Sequence, residues 1–264
     1  MKLTAYSDSP AAMKAPQSAP TASVRQYRPK RVAGFLIALA VLLCYPVAAS
    51  APAEAATYYA STIVPGNNVR ACASTSCMVV AATTSTGRMQ CWRDGGLATG
   101  RYTSARWFLM ELNNGQEGYV HSSFVGSQVA VPNCSSLPRV LAADWALARI
   151  GNIDAPAPYY KWSGWCLGFV NMAYQSAGVY KLSAPSAIDQ WRTLQSQGLT
   201  RGGIPRYGDP AFTSASASGH VFVYIGGRYG VGTQGAAGAN RPIGIYDMYN
   251  AYPSYLGWGR ITSA

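Results

Sequence analysis

Between residues 58 and 134 the apolar positions come in short runs, broken by Gly66-Asn67-Asn68, Gly95-Gly96 and Asn113-Asn114-Gly115. Breaks of this kind predict short strands joined by turns. Residues 106–112 and 116–121, with Asn113-Asn114-Gly115 between them, read as a hairpin. No helix of useful length is predicted, so a small all-β barrel is expected. The pattern changes near Pro138. Residues 140–150 have apolar positions at helical spacing and stop at Gly151. Cys166, Phe169, Val170, Ala173 and Ala177 form one stripe, which predicts a helix that starts at Cys166 and ends before Gly178. A weaker helical pattern covers residues 184–197. Residues 205–212, 220–225, 229–233 and 257–261 are strand-like, with Gly226-Gly227 as a turn. Helices first and strands afterwards is an α+β pattern.

Upstream, residues 1–31 are polar and rich in alanine, proline and serine, with no apolar periodicity, and read as disordered. Lys2, Lys14, Arg25, Arg28, Lys30 and Arg31 make this stretch positive. An apolar run over residues 32–47 follows, then small residues in which Ala53-Glu54-Ala55 fits a signal-peptidase site. Residues 1–55 are therefore expected to be a signal peptide for export. A retained signal anchor is the alternative, because the run is about the minimum length for a membrane span. The roughly 209 residues that cleavage leaves suffice for two small domains, expected at 57–136 and 138–264.

Charge adds a little. The chain carries 21 basic and 10 acidic residues, net +11, and cleavage would leave 15 and 8, net +7. A moderately basic exported protein suits anionic surfaces such as wall polymers or anionic lipid. The basic residues are scattered instead of clustered on one helix or strand, which argues against nucleic acid.

Five of the six cysteines remain after cleavage. Cys72, Cys77, Cys91 and Cys134 lie in the β region, where a small core gains from covalent ties. Four cysteines allow three pairings. The favoured one joins Cys72 to Cys77 as a local clip and Cys91 to Cys134, tying the barrel to its end. Metal binding has little support, since there is no C-x-x-C and both histidines lie far from the cluster in sequence. No metal and no cofactor is expected. Cys166 is left over, alone in the second region, and an unpaired thiol in an oxidising compartment is a liability unless it does chemistry.

That chemistry needs a thiolate. A helix N-terminus lowers a cysteine pKa, and a neighbouring imidazolium lowers it further. Cys166 opens its predicted helix, and His220 opens a predicted strand that could hold an imidazole against that helix end. His220 would act as ion-pair partner and then as general acid for the leaving group. The bland alternatives are a core cysteine sharing the stripe of Phe169 and Ala173, and a satisfied structural histidine. His121, the other histidine, is assigned to structure or binding.

The second region resembles the NlpC-type and CHAP superfamily of papain-like cysteine peptidases and amidases. The residues that carry the resemblance run in family order. They are the helix Asp144-Trp145-Ala146-Leu147-Ala148-Arg149-Ile150-Gly151, the helix start Trp165-Cys166-Leu167-Gly168-Phe169-Val170, and Pro205-Arg206-Tyr207-Gly208-Asp209. Gly219-His220-Val221-Phe222-Val223-Tyr224-Ile225-Gly226 and the closing Gly257-Trp258-Gly259-Arg260 complete the set. The resemblance implies hydrolysis of a peptide or amide bond of peptidoglycan, with Cys166 as nucleophile and His220 as base. The resemblance implies a third polar residue that orients the imidazole, on the strand after the His220 strand, where Gln234 is the candidate and Thr233 the alternative. Gly232 stands where a polar residue would be expected, and Trp165 where many relatives carry aspartate. Asp209 is read as structural, and Tyr160 resembles a tyrosine that lines the site in the family. The first region resembles a bacterial SH3-like domain through Asn68-Val69-Arg70, the Trp107 strand and Gly118-Tyr119-Val120-His121-Ser122-Ser123-Phe124-Val125. Trp107 and Tyr119 suit either a barrel core or a contact surface.

The expected protein is thus a secreted, monomeric cell-wall hydrolase. Its architecture would be α+β, a papain-like cysteine hydrolase domain preceded by a small all-β SH3-like barrel. Its partners would be peptidoglycan and anionic wall polymers. The rivals are a non-catalytic wall-binding protein with a degenerate hydrolase domain, and a transferase that passes the acyl group to an amine.

Overall fold

The turn-rich first half forms a six-stranded antiparallel sheet in the computed structural model, which describes residues 60–214, 216–235, 239–250 and 254–262. The expected export segment, residues 1–55, lies outside the described residues. The strands are β1 (Ala60–Thr62), β2 (Asn68–Arg70), β3 (Val79–Ala82), β4 (Thr86–Thr99), β5 (Thr103–Leu112) and β6 (Glu117–His121), in the order β1-β4-β5-β6-β2-β3. β5 and β6 are the expected hairpin, with Gly115 at φ +80° in the connection. Gly95-Gly96 is not a turn but lies inside β4, where the register shifts between Asp94 and Ala98. The glycines are there for closeness, since a Cβ on Gly95 would sit 2.0 Å from the Ala73 carbonyl oxygen. Disulfides join Cys72 to Cys77 and Cys91 to Cys134. Trp107 and Tyr119 are buried core residues, not contact residues.

The second half supplies three helices and a second antiparallel sheet. The helices are α1 (Pro138–Leu147), α2 (Cys166–Ser176) and α3 (Ala187–Ser196). The strands are β7 (Thr200–Arg201), β8 (Pro210–Thr213), β9 (His220–Gly226), β10 (Tyr229–Gly232), β11 (Gly244–Asp247) and β12 (Tyr255–Gly259), in the order β11-β10-β9-β8-β12-β7. The architecture is α+β. α2 begins at Cys166 because its stripe of Phe169, Val170 and Ala173 is fully buried, and it packs on α1 and on β9. α3 starts at Ala187, where the Ser186 side chain accepts from the Asp189 N–H. Such an N-cap satisfies one of the orphan donors of the first turn. β8 begins at Pro210 and not at residue 205, since Tyr207-Gly208-Asp209 forms a buried turn ahead of it. No helix among the described residues is long and apolar enough to cross a membrane.

That turn joins the two halves. The Glu117 carboxylate, on β6, accepts from Arg139 Nη1 on α1 at 2.8 Å and from the Tyr207 N–H at 2.8 Å. Arg139 also donates to the Tyr207 carbonyl at 2.5 Å, and the Tyr207 hydroxyl donates to the Ala71 carbonyl at 2.6 Å. Tyr174, on α2, donates to the Gly208 carbonyl at 2.5 Å. Gly208 takes φ +88°, and a Cβ there would lie 2.0 Å from the Arg139 carbonyl oxygen, so only glycine fits. Asp209 is buried and paired with Arg206 at 2.8 Å, and burial pushes its carboxyl up to about 6. The first half therefore does not satisfy its own buried groups, because Glu117 takes its partners from the second.

The side chains of Arg139 and Glu117 are 1% and 2% exposed. Removing one member of so buried a pair leaves an uncompensated charge, which costs about 3–5 kcal/mol. Arg139→Met should lower unfolding stability by about that amount, read from urea midpoints at constant slope. The double variant Arg139→Met with Glu117→Gln should recover part of the loss, and a single variant within about 1 kcal/mol of the parent would contradict the assignment.

Candidate active site

Cys166 is the first residue of α2, and its thiol is the free one among the described cysteines. Trp165 precedes it without a side-chain cap, so the helix N-terminus opens on the neighbouring space. The Cys166 sulfur accepts backbone hydrogen bonds from Val221 and Leu167, which pull the thiol down. Burial outweighs them, and the net shift of the thiol is upward. Because Val221 follows His220 directly, the bond from its N–H places the sulfur beside the start of β9.

His220 opens β9, opposite Thr213 of β8 in the ladder. Gly219 makes that start possible at φ +66°, with Ile188 N and the Thr213 carbonyl each 3.0 Å from where its Cβ would be. Burial pushes the imidazole down to about 4. Cys166 and His220 line one cleft of about 620 Å³ between the N-termini of α2 and α3. Both groups are thus driven toward their neutral forms. This differs from the thiolate–imidazolium pair that helix and histidine alone suggested, and the reason is desolvation, which disfavours either charge. A neutral imidazole is the form that can accept a proton from a neutral thiol.

The third residue is placed differently from expectation. Gln234 is exposed and does not line the cleft, whereas its neighbour Thr233 is buried and does. The Thr233 hydroxyl has no hydrogen-bond partner among the described residues, and neither has that of Thr213. At position 232 glycine leaves room for an aromatic ring, since a Cβ there would lie 2.7 Å from Phe222 Cδ1. Phe222 meets His220 in a T-shaped contact with ring centroids 4.5 Å apart. Tyr160 is 71% exposed and does not line the cleft, but Tyr159 does. His121 is satisfied inside the first sheet by the Ser123 hydroxyl at 2.8 Å and the Ser104 carbonyl at 2.9 Å.

Sequence reasoning missed Tyr159, Thr213 and Ser163. Ser163 is buried, accepts from the Arg241 N–H at 3.1 Å and donates to the Arg241 carbonyl at 3.3 Å, fixing the turn before Cys166. A serine three residues ahead of the cysteine carries no recognisable signal, because its partner lies 78 positions away.

No family model matches this chain, and no curated protein does. Solved structures do. NlpC2 from Trichomonas vaginalis is 15% identical over 78% of this chain and 72% of its own, with a TM-score of 0.34. An NLP/P60 family protein similar to lipoprotein, from Staphylococcus aureus, is 21% identical over 48% of this chain and 42% of its own, at 0.34. The P60 domain of an antigen from M. avium subspecies paratuberculosis is 18% identical over 48% of this chain and 98% of its own, at 0.36. Likenesses this distant leave the chemistry to be argued from the residues themselves.

A neutral imidazole can act as a base, so function should fall only as His220 gains its proton. The acid limb of kcat/KM should lie near pH 4, with most of the rate retained at pH 5. A limb near the ordinary histidine value of about 6.5 would show that burial does not govern the pair.

Proposed function

We propose that this protein is a peptidoglycan hydrolase that cleaves a peptide or amide bond by a cysteine nucleophile. The observation that carries the proposal is the shared cleft. The sulfur of Cys166 lies at a helix N-terminus, held by the Val221 N–H, and His220 lines the same cleft. In the forward step His220 accepts the thiol proton while the sulfur attacks the carbonyl carbon. The resulting oxyanion collapses, the C–N bond breaks, and the amine leaves with the proton from His220. Water, deprotonated by the same imidazole, then hydrolyses the thioester and restores the thiol. The substrate class rests on the motif resemblance and on a basic chain with an export-like N-terminus. An SH3-like role in wall binding for the first sheet, and secretion to the wall, belong to the same proposal.

One observation favours a second reading, a non-catalytic wall-binding protein. His220 packs against the apolar ring of Phe222, and Gln234, the first candidate for the orienting group, lies outside the cleft.

The two readings separate in one assay. Mass spectrometry of muropeptides after incubation with the mature chain should show new termini from one bond type. Cys166→Ala should remove at least a thousandfold of that rate while the unfolding midpoint stays put. Unchanged muropeptides at high enzyme concentration favour the binding protein, and equal cleavage by Cys166→Ala sinks the cysteine mechanism.

A further inference from the structure

Two aromatic rings line the cleft beside Cys166. Trp165 is 43% exposed, and Tyr159 lies 5.1 Å from it between ring centroids. Neither ring is loose. Tyr159 stacks at 25° on Trp162, which is 1% exposed, and Trp162 packs edge-on against Phe169 of α2 at 5.2 Å. Gly168 is what lets Tyr159 in, because a Cβ there would lie 2.8 Å from the Tyr159 ring. A fixed aromatic shelf therefore runs from the core to the edge of the cleft, one residue from the nucleophile.

The rest of the lining is of another kind. Exposed Ser183 and Ser218 and the Asn171 amide contribute hydroxyl and amide groups. Among the described residues that line the cleft there is no aspartate, glutamate, lysine or arginine. The basic surplus of the chain thus lies elsewhere. Aromatic rings and uncharged hydrogen-bonding groups in one cleft suit a ligand that has an apolar ring face and many hydroxyls, and no net charge.

We infer that the Tyr159–Trp165 shelf binds a neutral sugar ring, an N-acetylated hexosamine of the glycan strand, so that the scissile bond is presented from the glycan side. The inference rests on the proposed wall substrate and narrows it to peptide still attached to sugar. The sugar's C–H face stacks on Trp165, and its hydroxyl and acetamido groups meet the serine and asparagine side of the cleft. A rigid shelf loses little conformational freedom on binding, which favours even a weak stacking contact.

The test separates sugar binding from catalysis. Cys166→Ala protein is titrated with a peptide-free oligomer of N-acetylglucosamine, followed by tryptophan fluorescence and by calorimetry. Saturable binding is expected, weakened about five- to tenfold by Tyr159→Leu and by Trp165→Ala, and largely kept by Trp165→Phe. In the parent enzyme, kcat/KM should favour a sugar-bearing muropeptide over the same free peptide, and Trp165→Ala should shrink that ratio toward one. No saturable sugar binding, or binding untouched in Tyr159→Leu and Trp165→Ala, overturns the inference. Equal use of both substrates overturns it too, and would leave the cysteine mechanism standing. Sugar binding without any cleavage supports the shelf and removes the hydrolase.

Discussion

A single buried carboxylate holds this molecule together. Glu117 sits on the first sheet, yet its hydrogen bonds come from Arg139 at the start of α1 and from the Tyr207 N–H ahead of β8. A carboxylate out of water is tolerable only with such partners. The contacts propagate. Tyr207 is followed by Gly208, whose carbonyl takes the Tyr174 hydroxyl of α2, and by Asp209, whose carbonyl accepts from the Tyr224 N–H of β9. The helix that begins with Cys166 and the strand that begins with His220 are thereby fixed to one turn. Placement of the two reactive groups is a consequence of packing in the core below them.

The site is governed by desolvation. Three backbone donors, those of Val221, Leu167 and Cys166 itself, act to lower the thiol, and burial more than cancels them. Burial likewise suppresses the charge on His220. A neutral pair differs from a standing ion pair in what it asks of the substrate. In the proposed mechanism, proton transfer to His220 accompanies attack by the Cys166 sulfur.

Much of this was legible in the sequence. The stripe of Cys166, Phe169, Val170 and Ala173 located α2 to the residue, because periodicity and burial agree there. His220 was legible because a strand pattern begins at it. Gly95-Gly96 misled because glycine marks close approach as readily as a turn, and in β4 the close neighbour is Ala73, more than twenty residues earlier in the chain. The start of β8 was misread for a related reason. Residues 205–209 are apolar enough to look extended, but their burial follows from Glu117 and Arg139, which no local pattern reveals. Gln234 was drawn from the family resemblance, with Thr233 as the alternative. Burial instead picks out its neighbour Thr233, and adjacent residues of an extended chain face opposite ways. The aromatic shelf was invisible because Trp165 and Tyr159 meet across a turn, through the space that Gly168 leaves.

The central claim is that the Cys166 sulfur becomes covalently bonded to substrate carbonyl carbon. The most direct measurement is mass spectrometry of the protein acid-quenched during turnover on muropeptides, followed by peptide mapping. The account predicts a transient mass increase equal to the acyl portion of the cleaved substrate, confined to the peptide that contains Cys166 and discharged by hydroxylamine. Steady product formation with Cys166 unmodified at every quench time, or an adduct on another residue, would contradict it.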